Sequence, residues 1–216
     1  PWTLLERCRQ VCLPEPSLVR VDRSVYNIGM AYDPTAPDTR AARDRILHTA
    51  HDLFYRDGVR ATGIDRVIAE SGVAKLTFYR HFPSKNDLVR AYLDYRHQRW
   101  MRWFADAPAR NGGGPDAIVP AVGEWLRDPG YRGCAFINSV GELAGSLPEV
   151  TDIARAHKAD VATAIAGVLP ASRQRAKLAQ AIALAVDGAI VRAQFDAAPD
   201  AALDALKRIV KSLLKT

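Results

Sequence analysis

Residues 62–85 read TGIDRVIAESGVAKLTFYRHFPSK, and this stretch decides the fold. Ile64, Val67 and Ile68 recur at helical spacing and give a short helix one apolar face. Glu70-Ser71-Gly72 stops it, because glycine most easily takes the left-handed conformation that closes a helix. After Val73 a second short helix is predicted from about Ala74 to Phe82, and Pro83 forbids its continuation. Phe78 and Phe82 stand four residues apart and face inward, which turns Lys75, Thr77 and Arg80 outward with Leu76, Tyr79 and His81 nearby. Two short helices at a glycine turn, the second bearing donors on its outer face, form the helix-turn-helix pattern. An ordinary helical corner with a solvated basic face is the bland alternative; the agreement of spacing, breakers and outward donors argues against it.

Thr62, the register Ile68, Ala69, Gly72 and Val73, the Thr77-Phe78-Tyr79-x-His81-Phe82 run and Pro83-Ser84-Lys85 resemble the DNA-binding domain of the TetR family of transcriptional repressors. The resemblance is strong over roughly residues 40–95; beyond them it rests on length and helical pattern alone. It implies an all-α protein with a three-helix DNA-binding domain over 38–83 and a helical effector-binding and dimerisation domain over 84–216, after a disordered or non-native arm over 1–37 read from its own prolines. It also implies a homodimer on palindromic double-stranded operator DNA, released by a small organic effector. Lys75, Thr77 and Arg80 are then expected at base edges, Leu76 in the groove, and Thr62, Tyr79, His81 and Lys85 at phosphates. Ala74 stands where the family usually places a capping Ser or Thr, and Leu76 where it often has Gly. Both departures bear on which operator is read.

Charge agrees with a nucleic-acid partner. The chain of 216 residues carries a formal net charge of +6. Between Arg40 and Arg102 there are 13 Lys and Arg against 7 Asp and Glu, so the whole excess falls on the DNA-binding part. A basic membrane-surface helix would also concentrate charge, but it would be continuous, and Gly72 and Pro83 interrupt this one. The sequence holds no run of about 18 apolar residues that could span a bilayer.

Upstream, Pro14, Pro16, Pro34 and Pro37 break any long helix, and residues 1–29 are expected to precede the natural start or to form a mostly disordered arm. Arg7, Arg9 and the prolines interrupt any signal-peptide apolar region. Cys8 and Cys12 lack a second ligand pair for zinc, and three cysteines with no disulfide framework fit a reducing cytoplasm. No metal or cofactor is expected.

A first helix is predicted from Asp38 or Thr39 to Asp57, with Ile46, Leu47, Ala50, Leu53 and Phe54 packing over Phe78 and Phe82. His48, His51 and Asp52 invite a metal-dependent HD-type hydrolase reading, but the further ligands are missing at matching spacings downstream. The two histidines are expected to be solvated or to face phosphate. A long helix capped by Ser84, with Asp87 in its first turn, continues to about Asp106, roughly 33 Å. Lys85 in its first turn suits a backbone phosphate. Pro108 and the run Asn111-Gly112-Gly113-Gly114-Pro115 then make a loop, which is not a phosphate loop because no Gly-Lys-Ser/Thr follows.

Helices near 116–127, 133–144, 148–168, 172–196 and 200–214 complete the chain. The last two carry apolar stripes, Leu178, Ile182, Val186, Ile190 and Ala193 on one and Leu203, Leu206, Ile209, Val210 and Leu213 on the other. These are either core within one subunit or, as the resemblance implies, a dimer's four-helix bundle. Trp100, Trp103, Phe104, Trp125 and Phe136 cluster as core or as the lining of an effector site. Cys134, Asn138 and Glu142 fall on one helical face, a pattern similar to one in a subset of TetR-type ligand domains; they either touch an effector or satisfy nearby backbone groups. Besides a ligand-responsive repressor, the sequence leaves two function classes open: an architectural DNA-binding protein without effector, and the hydrolase.

Overall fold

Helix α1, Ala42–Asp57, buries Ile46, Leu47, Ala50, Leu53 and Phe54 on one side. It is followed by the two short helices α2, Ile64–Ser71, and α3, Lys75–His81. A computed structural model of the chain describes residues 42–215. The expected start of α1 at Asp38 or Thr39, the N-terminal arm, Cys8 and Cys12 lie outside the described residues.

The turn between α2 and α3 has the conformation its sequence requires. Gly72 takes φ 64° and ψ 29°, and its N–H donates to Ala69 O. A side chain there would sit in the left-handed region that glycine occupies at least cost. Ala74 precedes α3 in extended conformation without a side-chain cap. Tertiary contact instead anchors this helix: Phe78 is fully buried and Phe82 nearly so, and both α2 and α3 pack on α1. The Arg43 guanidinium lies 5.2 Å above the Phe82 ring, which fixes the far edge of the trihelical unit.

Helix α4, Lys85–Arg110, starts as its sequence predicts. The Ser84 hydroxyl accepts the Asp87 N–H at 3.1 Å and donates to the Asp87 carboxylate at 2.7 Å. Its end differs from the expectation at Asp106. The helix runs straight through Pro108, giving 26 residues and about 39 Å. Proline forfeits one ladder bond, and so near the terminus that loss is offset by packing, since Ala107 and Pro108 are both buried. The Asn111 N–H and side-chain amide both donate to Ala107 O and close the last turn.

A short 3-10 turn, Pro115–Ala117, leads into α5, Ile118–Leu126. Then come α6, Ala135–Leu143, α7, Glu149–Val168, α8, Arg175–Arg192, and α9, Asp200–Leu213. Helix α8 is shorter at both ends than the expected 172–196. Past Arg192 the apolar stripe fails, with Phe195 72% exposed, and the regular helix gives way to a turn closed by the Asp196 N–H on Arg192 O. Among the described residues the protein is entirely helical, and no helix is long and apolar enough to cross a membrane.

Helix α4 links the helix-turn-helix to the helices that follow. It packs on α1 near the helix-turn-helix and on α5, α6 and α7 further along. Helices α7, α8 and α9 pack in sequence. Ile182, Val186 and Ile190 of α8 and Leu203, Leu206 and Val210 of α9 are buried within the subunit, whereas Leu184 and Ile209 are left exposed.

Candidate nucleic-acid interface and its link to the helical domain

With Phe78 and Phe82 turned into the core, α3 presents the rest of its short length outward. Lys75, Leu76, Tyr79 and Arg80 are exposed, with Leu76 74% accessible; Thr77 and His81 are half-buried. The Tyr79 ring meets Phe78 edge-on at 5.3 Å, which holds its phenol at the rim of the patch. Lys75 stands 3.6 Å from Asp65 of α2, an exposed pair that a phosphate or base edge could displace at little cost. Lys85, in the first turn of α4, is half-buried, and burial lowers its ammonium pKa while the Glu142 carboxylate opposes that shift. The arrangement offers hydrogen-bond donors, cations and one bare apolar side chain, the groups that read base edges and thymine methyls.

Thr62 is a correction. Its side chain is fully buried and its hydroxyl donates to Gly58 O at 2.8 Å, so it closes the α1–α2 connection and does not face phosphate. His51 is another. It is buried against Tyr92 and Tyr95, its ring bonds the Asp52 carboxylate at 2.7 Å, and burial lowers its pKa to about 4. A neutral, enclosed imidazole is neither solvated nor phosphate-facing. Among the described residues no three of His, Cys, Asp or Glu gather as a metal site would require. Reading α2 as an apolar face alone missed the ion-pair chain on its outer side: Asp57 takes Arg66 at 2.9 Å, and Arg66 takes Glu70 at 2.8 Å.

The aromatic residues singled out in the second half do come together, as a layer. Trp100 stacks on Phe104 at 4.9 Å, and Trp103 and Trp125 stand 5.7 and 6.2 Å from Trp100. Phe136 stacks on His157 at 3.7 Å, and His157 meets Trp100 edge-on at 5.6 Å. His157, on the buried face of α7, is the member the sequence reading missed. Its place beside Val150, Val161 and Ile165 on one apolar stripe was the signal that could have found it. Burial, with Lys158 and His97 adding positive charge, lowers its pKa to about 3. The Trp100 indole N–H is buried in this layer without a hydrogen-bond partner.

Asn138 and Glu142 lie away from that layer and satisfy backbone groups. Asn138 donates to Arg132 O at 3.0 Å, and the Glu142 carboxylate accepts the Arg60 N–H at 2.8 Å. Cys134 is buried, 3.5 Å from the Lys158 ammonium, which pairs with Asp187 at 2.5 Å. The Tyr55 hydroxyl donates to Gly133 O at 2.8 Å and accepts the Arg132 N–H at 3.0 Å, tying the end of α1 to the start of α6.

A trihelical unit with a glycine turn, an anchored short helix and an exposed basic and apolar patch defines a helix-turn-helix DNA-binding protein. Residues 46–92 match the model of the bacterial regulatory proteins of the tetR family. The chain is similar to SCO4454, a TetR-family transcriptional regulator from Streptomyces coelicolor, at 30% identity over 81% of this chain and 94% of that one, with a TM-score of 0.69. It is also similar to the transcriptional regulator AcuR of Cereibacter sphaeroides, at 24% identity over 76% of this chain and 82% of that protein. An HTH-type transcriptional regulator of the lacX 3' region of Lactococcus lactis shares 26% identity, and there the match spans 56% of the relative's length. The chain belongs to the TetR family of transcriptional regulators, which are DNA-binding proteins and not enzymes.

Proposed function

We propose that the protein is a ligand-responsive repressor that acts in the cytoplasm, binds an inverted-repeat operator as a homodimer and is released by a small organic effector. The observation that carries this reading is the span of α4, which has Lys85 beside the DNA-facing patch in its first turn and Trp100, Trp103 and Phe104 in its later turns. One rigid element therefore touches both the reading head and the aromatic layer. Exposed Leu184 and Ile209 on α8 and α9 supply a face for a second copy.

A dimer on such a site holds its two recognition helices about 34–36 Å apart, one turn of B-DNA. An effector lodged among Trp100, Trp103, Phe104, Trp125 and Phe136 tilts α4 and carries Tyr79 and Arg80 out of register in both subunits. The unpaired Trp100 N–H and the neutral His157 beside it supply donor and acceptor capacity in an otherwise apolar layer. An effector that prefers the spread state by about 100-fold supplies about 2.7 kcal/mol of coupling per site.

Coupling is reciprocal, so operator DNA weakens effector binding by the factor by which effector weakens operator binding. Aromatic compounds that quench the tryptophan fluorescence are titrated calorimetrically with and without saturating operator, in wild type and in Trp103→Ala. Equal affinity in both conditions for every compound that binds at the layer contradicts this reading.

A further inference from the structure

Between the end of α1 and α6 lies a cavity of about 280 Å³, lined also by Tyr92 of α4 and distinct from the aromatic layer. Two hydroxyl side chains on its wall, Tyr92 and Ser139, are 1% and 2% exposed, and neither makes a hydrogen bond. Their oxygens are not sealed in the core, so both are open to the cavity and can hydrogen-bond a guest there.

The charges around the cavity say what kind. Arg56 and Asp57 neutralise each other at 2.8 Å, and Asp57 also holds Arg66. Arg132 has no carboxylate partner, since its guanidinium donates only to the Pro129 and Tyr131 carbonyls. Glu142 has no cationic side chain in bonding distance and accepts only the Arg60 N–H. The wall therefore carries one cation without a carboxylate partner, one carboxylate bonded only by a backbone N–H with Lys85 as its cationic neighbour, and two hydroxyls free of protein partners.

We propose that this cavity is a second small-molecule site, for an amphoteric ligand of amino-acid size whose carboxylate meets Arg132 and whose ammonium meets Glu142. A volume of about 280 Å³ falls just below the range of pockets for drug-sized ligands, which suits a molecule as small as an amino acid. Its ammonium competes with Arg60 for the Glu142 carboxylate, so occupancy loosens the bond between α6 and the α1–α2 connection. This site and the effector reading of the aromatic layer stand independently, because the two share no lining side chain.

The test is calorimetric titration of the full chain with each of the twenty amino acids. For any that binds, the acid lacking the amine and the amine lacking the carboxylate are titrated as well. The expected result is at least one amino acid with a Kd below about 1 mM, with both truncated analogues at least tenfold weaker. Ser139→Ala and Glu142→Gln each weaken it by about tenfold or more, Trp103→Ala leaves it unchanged, and saturation speeds amide exchange at Arg60. Ser139→Ala removes a single oxygen, so the test stands even where a bulkier change disturbs the fold. Absence of binding by all twenty, equal binding of a truncated analogue, or unchanged binding in Ser139→Ala and Glu142→Gln overturns the proposal. So does loss of binding in Trp103→Ala alone, which would place the ligand in the aromatic layer.

Discussion

The Glu142 carboxylate accepts the backbone N–H of Arg60 across 82 residues of sequence, joining α6 to the loop that leads into the helix-turn-helix. Gly58 lies against the same carboxylate, so close that a Cβ there would meet both oxygens at 3.3 Å. Helix α6 therefore grips the reading head from the side, in addition to the hold of α4 from behind. Replacing Glu142 by Ala removes a charge-assisted bond worth about 1–2 kcal/mol. Hydrogen exchange at Arg60 and its neighbours should rise accordingly, while helices α7–α9 keep their protection. Unchanged exchange in that loop would show that the bond does not restrain it.

Two buried histidines set an acid limit on stability. In the fold His51 titrates near 4 and His157 near 3, both lowered first by burial, against 6.5 when unfolded. Above about pH 6.5 both states are neutral and the fold is unaffected. Below it the unfolded chain takes up protons that the fold refuses, so stability falls as pH drops toward those values. Between pH 8 and 5 the loss is about 2 kcal/mol per histidine, and urea unfolding at a series of pH values measures it. His157→Phe should flatten the profile by about half; an unaltered slope would mean that His157 is protonated in the native core.

On the proposed function, Arg80 of α3 contributes sequence preference and Lys85 in the first turn of α4 holds phosphate. Arg80→Ala should lose about 1–3 kcal/mol on operator and little on random duplex, relaxing preference at one position of each half-site. Lys85→Ala should weaken both alike and lower the salt slope by about one unit. Binding isotherms at several salt concentrations separate the two. Equal effects of both changes on operator and random DNA would remove the division.

The exposed leucine and isoleucine on the last two helices bear on assembly. Leu184→Glu with Ile209→Glu places charge on two exposed apolar side chains of α8 and α9, 74% and 45% exposed respectively. Sedimentation should show a monomer with unchanged helix content, and operator affinity should fall by about 100-fold or more. A dimer that persists in the double variant would locate the interface elsewhere.

The helix-turn-helix was legible because its determinants are local. Gly72 sets the turn, Pro83 the stop, and the spacing of Phe78 and Phe82 the buried face, all within two dozen residues. What the sequence did not carry depends on partners far along the chain. Pro108 stays helical because the core closes over it, and no window around Pro108 reveals that. Thr62 looked like a surface donor, yet its hydroxyl is taken by Gly58 O as the loop folds back. Asn138 and Glu142 share a face as their spacing implied, but only the tertiary structure shows that Arg132 and Arg60 meet them. The aromatic residues were visible as a cluster by composition. That they pack as a connected cluster of stacked and edge-on rings, with His157 among them and one unpaired indole N–H, is a matter of packing geometry.

The central claim is that two copies of α3 read an inverted repeat. The most direct measurement is selection of bound duplexes from a random pool, followed by footprinting of the selected sequence and determination of the protein-to-DNA ratio. The selected sequence should contain two half-sites related by a dyad, with centres about one helical turn apart. Wild type should protect both half-sites with two protomers per site, and Arg80→Ala should need a higher protein concentration for the same protection. Selection of no common sequence, or of a single half-site bound by one protomer, would contradict it.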